Sequence, residues 1–364
     1  MARKRVTSRD VAKLAGVSRT TVSFVLNDVP HVQIPEETRR RVLEAAQHLG
    51  YHPDAAARSL ATRQTQTIAL VLYQSADRIV GDAFLSNVVR GLTEVAQQRG
   101  FRLLLHPFEE TGKSEAYISL VLENRIDGLI VSGPRSDDEQ LPRLRADGFP
   151  VVLLGQLDGA DMHFVDVDNV AAACRAVSHL IQLGHTRIGL VTNAPLEYTA
   201  SAHRWQGYRH ALSDAGLPYD ESIVRYGNFR AGSGYRAMEE LLALPQPPTA
   251  TFIASDEVAT GALAALHERG LSVPHGMALV SFDDLPVARY LVPSLTTVHL
   301  PAYELGLQAA DMLINLIQGE DVADRGVLLD TELIIRESCG SKACKGVLHE
   351  ATDSDGPLGI VHPA

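Results

Sequence analysis

The segment Asp10–Asn27, DVAKLAGVSRTTVSFVLN, contains the side chains of this sequence that are best suited to reading DNA. Arg19 can donate two hydrogen bonds to a guanine, and Thr20 and Thr21 offer hydroxyl groups to bases or phosphates. Phe24, one helical turn after Thr20, offers only an apolar contact. The spacing is typical of a helix-turn-helix, whose second helix lies in the major groove of a DNA duplex.

Three short helices between residues 6 and 50 are predicted to hold these side chains. Thr7 and Asp10 form a capping pair for the first helix, Gly16 ends it, and Ser18 caps the second. The apolar residues that recur at helical spacing, and that we expect to be buried, are Val11, Leu14 and Ala15, then Val22, Val25 and Leu26, then Val42, Leu43, Ala46 and Leu49.

Charge is distributed unevenly along the chain. Residues 1–65 contain 11 Lys and Arg against 6 Asp and Glu, a net charge of +5, whereas the whole chain carries −11. A basic head on an acidic body suggests that only the head meets a polyanion. The alternative is that the charge clusters by chance and that the head is a three-helix bundle that merely packs on the body.

Residues 53–66 read as a hinge between the head and the body. Pro53 ends the preceding segment, and Asp54 can cap a helix that follows it. Residues 55–61, AAARSLA, predict such a helix of two turns, whose stability is marginal by itself. Leu60 would be exposed on such a helix. Minor-groove-binding proteins insert leucines of this kind between base steps. The alternative is that Leu60 is buried against the body or a second copy of the chain.

From Ile68 onwards, short apolar runs alternate with amphipathic helical segments. Such alternation predicts parallel sheets covered by helices on both faces. The strands are too many for one sheet, so we predict an α/β body of two doubly wound lobes, with a cleft at the carboxyl ends of their strands. The predicted strands are Ile68–Tyr73, Phe101–His106, Gly128–Ser132, Val151–Leu154, Arg187–Thr192, Ala250–Ala254 and Ala278–Phe282. The predicted helices include Leu85–Arg99, Ala171–Leu183, Arg204–Ala215, Tyr235–Leu244 and Glu257–Arg269.

The sequence favours a cytoplasmic location. The three cysteines are too few and too irregular for a disulfide framework. No apolar segment follows the basic residues Met1–Arg5, as it would in a signal peptide, and no run of about 18 apolar residues predicts a membrane span. Residues 339–364 lack periodicity, and we expect a disordered tail there.

Catalytic and metal-binding patterns are missing from the sequence. It contains no phosphate loop and no GxGxxG turn between a strand and a helix. His179 and His185 do not share a helical face, and Cys339 and Cys344 lack partners at zinc spacing. We therefore expect no enzyme, no metal and no cofactor. Two alternatives remain, a solute-binding protein that serves a transporter and an enzyme on a doubly wound fold.

Residues 5–338 resemble the lac repressor (LacI/GalR) family of bacterial transcriptional regulators. In the head, the motifs that carry the resemblance are Asp10–Asn27, Thr38–Val42, Leu49–Tyr51 and Ala57–Leu60. In the body they are Ile126–Gly128, Asp168–Asn169, His179–Leu180, Gly184–His185, Arg204, Gly207–Tyr208, Pro248–Ala250, Ser255–Asp256, Phe282–Asp284 and Pro293–Thr297.

The resemblance implies a repressor that binds a pseudo-palindromic operator as a homodimer, which could assemble further, and that a small molecule switches. It implies a helix-turn-helix domain at residues 1–52 and an effector-binding and dimerisation domain of the periplasmic-binding-protein type at 67–338. The first lobe would hold about 67–166 and 298–324, and the second about 167–297 and 325–338. The candidate DNA contacts are Thr7, Ser18, Arg19, Thr20, Thr21, Ser23, Phe24, Asn27, His31, Ala57 and Leu60.

The resemblance also places effector-binding residues in the cleft. Arg204 and Asp283 match positions that hold polar groups of the effector. A guanidinium and a carboxylate that face each other can hold vicinal hydroxyls, which suits a sugar or polyol, with an aromatic ring over its apolar face. A nucleoside or another metabolite is the alternative ligand, and an ion pair that ties the lobes together is the alternative role for Arg204 and Asp283. The candidate effector contacts are Tyr73, Phe84, Arg204, Trp205, Ser255, Asp256 and Asp283.

Overall fold

The computed structural model describes residues 6–26, 32–51, 64–73, 82–107, 115–322 and 324–341. None of the helices in these ranges combines the length and hydropathy that a membrane crossing requires. The helices are α1 (Ser8–Ala15), α2 (Arg19–Leu26), α3 (Glu36–Leu49), α4 (Ala83–Gln98), α5 (Glu115–Leu122), α6 (Gln140–Ala146), α7 (Asn169–Gln182), α8 (Thr199–Asp214), α9 (Ala231–Leu242), α10 (Asp256–Glu268) and α11 (Ala302–Gln318). The strands are β1 (Thr67–Leu72), β2 (Arg102–Pro107), β3 (Gly128–Ser132), β4 (Val151–Leu154), β5 (His163–Val167), β6 (Ile188–Val191), β7 (Val224–Arg225), β8 (Ala250–Ile253), β9 (Ala278–Asp283), β10 (Thr297–His299), β11 (Gly326–Leu329) and β12 (Glu332–Ile334).

The turn between α1 and α2 follows the predicted capping pattern. The amide of Thr7 donates to Asp10 Oδ2 at 2.9 Å, which fixes the start of α1. Gly16 ends α1 in the left-handed conformation, with φ 67° and ψ 37°. Ser18 Oγ then accepts from the amide of Thr21 at 3.0 Å and caps α2. The predicted start and end signals are confirmed at these positions.

The core of the head differs from the predicted apolar pattern at two leucines. Leu14 and Leu43 are 54% and 48% exposed, whereas Ala12 and Ala45 are buried. The three short helices approach closely because alanines occupy inward positions, so the longer leucine side chains remain at the surface. The buried core residues are Val11, Ala12, Ala15, Val22, Val25, Val42, Ala45 and Ala46.

The two sheets of the body have the same doubly wound arrangement. The first has the strand order β2-β1-β3-β4-β5-β11, and all its pairs are parallel. The second has the order β7-β6-β8-β9-β10-β12, in which only the β10–β12 pair is antiparallel. The chain order reverses beside β1 in the first sheet and beside β6 in the second. These observations confirm the predicted pair of doubly wound lobes.

The chain crosses between the lobes three times, and the last crossings differ from the predicted division. Strand β10 pairs with β9 in the second sheet, although residues 298–299 were expected in the first lobe. Strand β11 pairs in parallel with β5 in the first sheet, although residues 325–329 were expected in the second lobe. The crossings therefore lie between β5 and α7, between β10 and α11, and between β11 and β12.

The described chain also continues further than predicted at its carboxyl end. A short 3-10 turn spans Glu337–Cys339, and Cys339 is buried. Ser338 Oγ accepts from the amide of Thr296 at 2.8 Å and donates to the carbonyl of Leu279 at 2.8 Å. Residues 339–341 thus belong to the packed second lobe rather than to a tail, and residues 342–364 lie outside the described residues.

Glycines allow α9 and α10 to pack at short distance on one face of the second sheet. A Cβ on Gly261 would overlap the carbonyl oxygen of Ala231, and a Cβ on Gly234 would overlap that of Val258. Both overlaps involve backbone atoms, which cannot rotate away as a side chain can. The spacing of these helices therefore requires glycine at both positions.

Gly261→Ala is expected to destabilise the protein by about 2–3 kcal/mol, because the added methyl group must push α9 away from α10. Thermal unfolding measures this as a lower Tm. The matched control is Gly232→Ala on α9, where the nearest atom to a new Cβ is Arg236 Nη1 at 3.9 Å. Alanine favours a helix over glycine, so this control is expected to keep or slightly raise the Tm. Equal Tm values for the two variants would contradict the close packing.

Candidate effector cleft and DNA-reading helix

A cavity of about 470 Å³ lies between the two lobes. Its wall includes Leu72 at the end of β1 and Tyr73 after it, Ser132 at the end of β3, Asn193 after β6 and Ser255 after β8. These strands flank the point in each sheet where the strand order reverses. Ligands of doubly wound sheets bind at that point, outside the carboxyl ends of the strands. The cavity is therefore the candidate effector site.

Arg204 on α8 lies at the bottom of this cavity and is 5% exposed. Its Nε donates to Asn169 Oδ1 at 2.9 Å, and its Nη1 donates to the carbonyl of Ala254 at 2.7 Å. The guanidinium carbon lies 3.7 Å from the ring centroid of Phe282. Within the described part of the chain, Nη2 has no hydrogen-bond partner. The guanidinium is thus fixed on one edge and retains donors for a ligand.

Carboxyl groups surround this buried guanidinium. Burial lowers the pKa of Arg204, and the charges of Asp283, Asp166 and Asp256 oppose that shift. Asp283 Oδ1 lies 3.6 Å from Arg204 Nη1, and burial raises the pKa of Asp283 to about 6 although Arg204 favours its ionised form. Burial, together with the charge of Asp283, raises the pKa of Asp256 to about 8. The bottom of the cavity therefore contains more acidic than basic groups.

Arg204 and Asp283 both belong to the second lobe, because α8 and β9 pack in the same half of the body. The alternative that this pair ties one lobe to the other is therefore wrong. Asp283 has a φ of 113°, in the region that favours glycine. Backbone strain of this kind persists where the surrounding structure requires it, often at binding sites. Here it fixes the direction of the carboxylate at the end of β9.

Two predicted effector contacts lie outside the cavity wall. Trp205 follows Arg204 on α8, and its Nε1 donates to the hydroxyl of Tyr219 at 3.3 Å. Asp256 is fully buried and accepts from the amide of Leu285 and from Thr297 Oγ1, each at 2.8 Å. Both predictions are corrected. Trp205 packs against its own lobe, and Asp256 links the start of α10 to neighbouring loops.

The remaining predicted contacts lie on the wall, together with residues that the sequence analysis missed. Phe84, Tyr73, Ser255, Arg204 and Asp283 are all lining residues. The hydroxyl of Tyr73 donates to Asp138, so it is occupied inside the first lobe. The lining residues that were not predicted as contacts include the polar and aromatic side chains of Asp82, Asn169, Asn193, Tyr198 and Phe229.

A set of direct contacts, which we call the clasp, joins residues 134–136 of the first lobe to residues 197–199 of the second. The amide of Ser136 donates to the carbonyl of Glu197 at 2.8 Å, and that of Thr199 donates to the carbonyl of Pro134 at 3.1 Å. The hydroxyl of Tyr198 donates to the carbonyl of Tyr73 at 3.0 Å. These backbone contacts hold the lobes together beside the cavity.

In the head, helix α2 contains five of the seven predicted DNA contacts that the structure describes. Arg19, Thr20 and Ser23 are exposed, and Thr21 and Phe24 are half-buried. Neither a hydrogen bond nor an ion pair involves Arg19 within the described residues. Thr7 and Ser18 are exposed helix caps. The predicted contacts Asn27, His31, Ala57 and Leu60 lie outside the described residues.

Tyr198→Phe is expected to weaken the clasp, because it removes one buried hydrogen bond worth about 1 kcal/mol. Hydrogen–deuterium exchange at the amides of Ser136 and Thr199 should then become about fivefold faster. The matched control is Tyr208→Phe, which removes a 2.7 Å hydrogen bond to the carbonyl of Ile188 inside the second lobe. Unchanged exchange at both amides in Tyr198→Phe would show that Tyr198 does not hold the lobes together.

Comparison with known proteins covers both parts of the chain. Residues 7–54 match the model of "bacterial regulatory proteins, lacI family", and residues 177–339 match that of the "periplasmic binding protein-like domain". The HTH-type transcriptional regulator CelR of Thermobifida fusca is 36% identical over 339 residues, which are 92% of this chain and 99% of CelR.

Two solved structures support the same assignment. The "CelR-cellobiose complex" has a TM-score of 0.70 at 35% identity and covers 92% of this chain and 100% of its own. The lac repressor dimer, bound to operator and the anti-inducer ONPF, has a TM-score of 0.80 at 29% identity and covers 92% of this chain and 99% of its own. The relatives are transcriptional regulators and not enzymes. This chain belongs to the lacI family of bacterial DNA-binding transcriptional regulators.

Proposed function

We propose that this protein is a transcriptional repressor of the bacterial cytoplasm that binds a pseudo-palindromic operator as a homodimer. A sugar or polyol in the cleft between the lobes would switch it. The observation that carries the proposal is that one chain combines a capped helix-turn-helix, in which Arg19 is exposed, with a cavity of charged, polar and aromatic side chains at the reversal points of two sheets.

DNA binding is supported by the chemistry of the exposed surface of α2. Arg19 is the first residue of the helix, so its guanidinium can reach a base edge when the amino end of α2 enters the major groove. Thr20 and Ser23 provide hydroxyl groups on the same exposed surface. Phe24 provides an apolar contact that suits the methyl group of a thymine. In this proposal, Arg19 and Phe24 read sequence, and the hydroxyl groups and helix caps position the head on phosphates.

A homodimer is supported by apolar side chains on the surface of the second lobe. Val287, Tyr290 and Val292 lie within seven residues of one another, and Val292 is 95% exposed. Clustered apolar surface of this kind marks protein interfaces. The lac repressor structure that resembles this chain is described as a dimer bound to operator. A twofold dimer presents two α2 helices, which matches a site with two similar halves.

A sugar or polyol as effector is supported by the mixture of groups on the cavity wall. Arg204 donates, Asp283 accepts, and the hydroxyl of Ser255 can do either, so adjacent hydroxyls could be bound by alternating partners. Phe84, Tyr198 and Phe229 provide aromatic surface for the apolar face of a sugar ring. The CelR structure contains cellobiose, which is a neutral disaccharide.

The link between the cavity and the head starts at Asp127. Its carboxylate accepts from the amides of Thr65 and Gln66, each at 2.7 Å, where the chain leaves the hinge and enters β1. These charge-assisted bonds fix the end of the hinge to the first lobe. A change in the angle between the lobes would therefore move both hinge ends of a dimer, and with them the spacing of the two heads.

Arg19→Ala is expected to weaken binding to the operator by about 1–3 kcal/mol, roughly 5- to 150-fold in Kd, because the base contact is lost. The operator is first selected from random duplexes with the unchanged protein, and affinities are then measured by mobility shift at two salt concentrations. The control is Arg40→Ala, since Arg40 pairs with Glu37 and Glu44 on α3. If the Arg19 variant prefers operator over scrambled DNA as strongly as the unchanged protein does, the proposed base contact is contradicted.

Arg204→Lys is expected to weaken effector binding at least tenfold, since lysine keeps the charge but loses the planar arrangement of donors. Isothermal calorimetry measures the affinity for cellobiose and for any other sugar that raises the Tm in a thermal-shift screen. Arg209→Lys is the control, because Arg209 lies over the ring of Trp205, outside the cavity wall. The same loss in both variants would remove Arg204 from the proposed contacts.

A further inference from the structure

The cavity wall contains carboxylates from both lobes. Asp82 precedes α4 in the first lobe, and Asp283 ends β9 in the second. Asp166 and Glu257 also line the wall, against two guanidinium groups, those of Arg204 and Arg230, among the described lining residues. A site with this excess of acceptors requires a ligand that donates.

One carboxylate oxygen of Asp82 accepts a hydrogen bond within the first lobe, and the other accepts none from the described residues. Its Oδ1 accepts from the amide of Leu85 at 3.0 Å and caps α4. Its Oδ2 has no hydrogen-bond partner among the described residues. Burial raises the pKa of Asp82, although the amides of Leu85 and Phe84 favour its ionised form. The ionised form of Asp82 is therefore energetically unfavourable in the folded protein.

The nearby guanidinium does not neutralise Asp82. Arg204 donates to Asn169 and to Ala254, and it faces Asp283. The charge of Asp82 acts instead on Asp283, in the same direction as burial, and makes its ionisation harder. Two carboxylates, one from each lobe, thus line the space that a ligand would fill.

We propose that Asp82 is a specificity-determining residue of the effector site, and that Asp82 and Asp283 together select a polyhydroxylated ligand without an anionic group. This inference rests on the proposed effector function. Hydroxyl groups of the ligand donate to Oδ2 of Asp82 from one side and to Asp283 from the other. Such a ligand satisfies both carboxylates and holds the lobes together. A phosphate or carboxylate on the ligand adds a third negative charge to the same cavity and is rejected.

The first test needs no ligand. Asp82→Asn keeps an oxygen that can cap α4 but removes the charge. The variant is expected to have a Tm roughly 2–4 °C above that of the unchanged protein at pH 8. A carboxyl group whose pKa is raised by folding destabilises the native state above that pKa, and this cost disappears as the pH falls towards the unfolded value. The difference in Tm should therefore be smaller at pH 5 than at pH 8.

The other charged groups that face Asp82 and Asp283 are the same in Asp82→Asn and in the unchanged protein, so the difference in Tm reports on Asp82 alone. They are Arg204 on α8, Asp166 on β5, Asp256 and Glu257 on α10, and Arg230 just before α9. Asp168→Asn is the matched control, because Asp168 caps α7 through the amide of Ala171 at 2.8 Å and lies outside the cavity wall. A Tm difference for Asp82→Asn that is zero, negative or independent of pH would show that the ionised Asp82 carboxylate does not destabilise the folded protein, and it would overturn the inference.

The second test measures selectivity with three matched pairs of probes, each a neutral compound and its anionic counterpart. They are cellobiose and cellobionate, glucose and glucose 6-phosphate, and adenosine and AMP. In any pair that binds, we expect the unchanged protein to prefer the neutral member at least tenfold in Kd. In Asp82→Asn this preference should fall to about threefold or less.

The outcomes of the two tests separate this inference from the proposed function. An anionic probe that binds the unchanged protein as tightly as its neutral partner would overturn the selectivity. A preference that survives Asp82→Asn unchanged would remove Asp82 as its cause. If no probe binds either protein, the proposed effector class is contradicted, and the comparison of Tm values at two pH values still decides whether the ionised Asp82 carboxylate destabilises the folded protein.

Discussion

A buried guanidinium group determines the arrangement of the second lobe. Removing a charge from water costs several kcal/mol unless hydrogen bonds and an opposite charge compensate it. Arg204 receives that compensation from the side chain of Asn169, the carbonyl of Ala254 and the carboxylate of Asp283. These partners come from the first crossing between the lobes and from the ends of β8 and β9. One side chain therefore fixes the relative positions of the crossing and of two strand ends.

Much of the fold followed from hydrophobic patterns, because long amphipathic helices and buried parallel strands have clear periodicity. The predicted and observed limits agree for Gly128–Ser132 and Val151–Leu154. Strands β5, β7, β10, β11 and β12 were not predicted; β7, β10 and β12 have only two or three residues, too few to show a period. The sheet to which β11 belongs depends on its pairing with β5, which precedes it by more than 150 residues. No local pattern contains that information.

Two of the predicted effector contacts that come from family motifs, Arg204 and Asp283, lie on the cavity wall. The prediction was wrong for Trp205 and Asp256, each of which directly follows a lining residue in the sequence. Successive helical residues point about 100° apart, so Trp205 faces away from the cavity when Arg204 faces it. Asp82 and Tyr198 were missed because they precede helices in loops without periodicity. Only the approach of one lobe to the other shows that such residues share a wall.

Three chain crossings connect the two lobes, and the clasp adds direct hydrogen bonds between them beside the cavity. If an effector leaves only when the lobes separate, the hydrogen bonds between residues 134–136 and 197–199 must break first. The residence time of the effector would then be set by how often the protein opens, and two ligands of different affinity could depart at similar rates. Contacts between the lobes, beside the cavity, would thus govern how quickly the protein responds when the effector is removed.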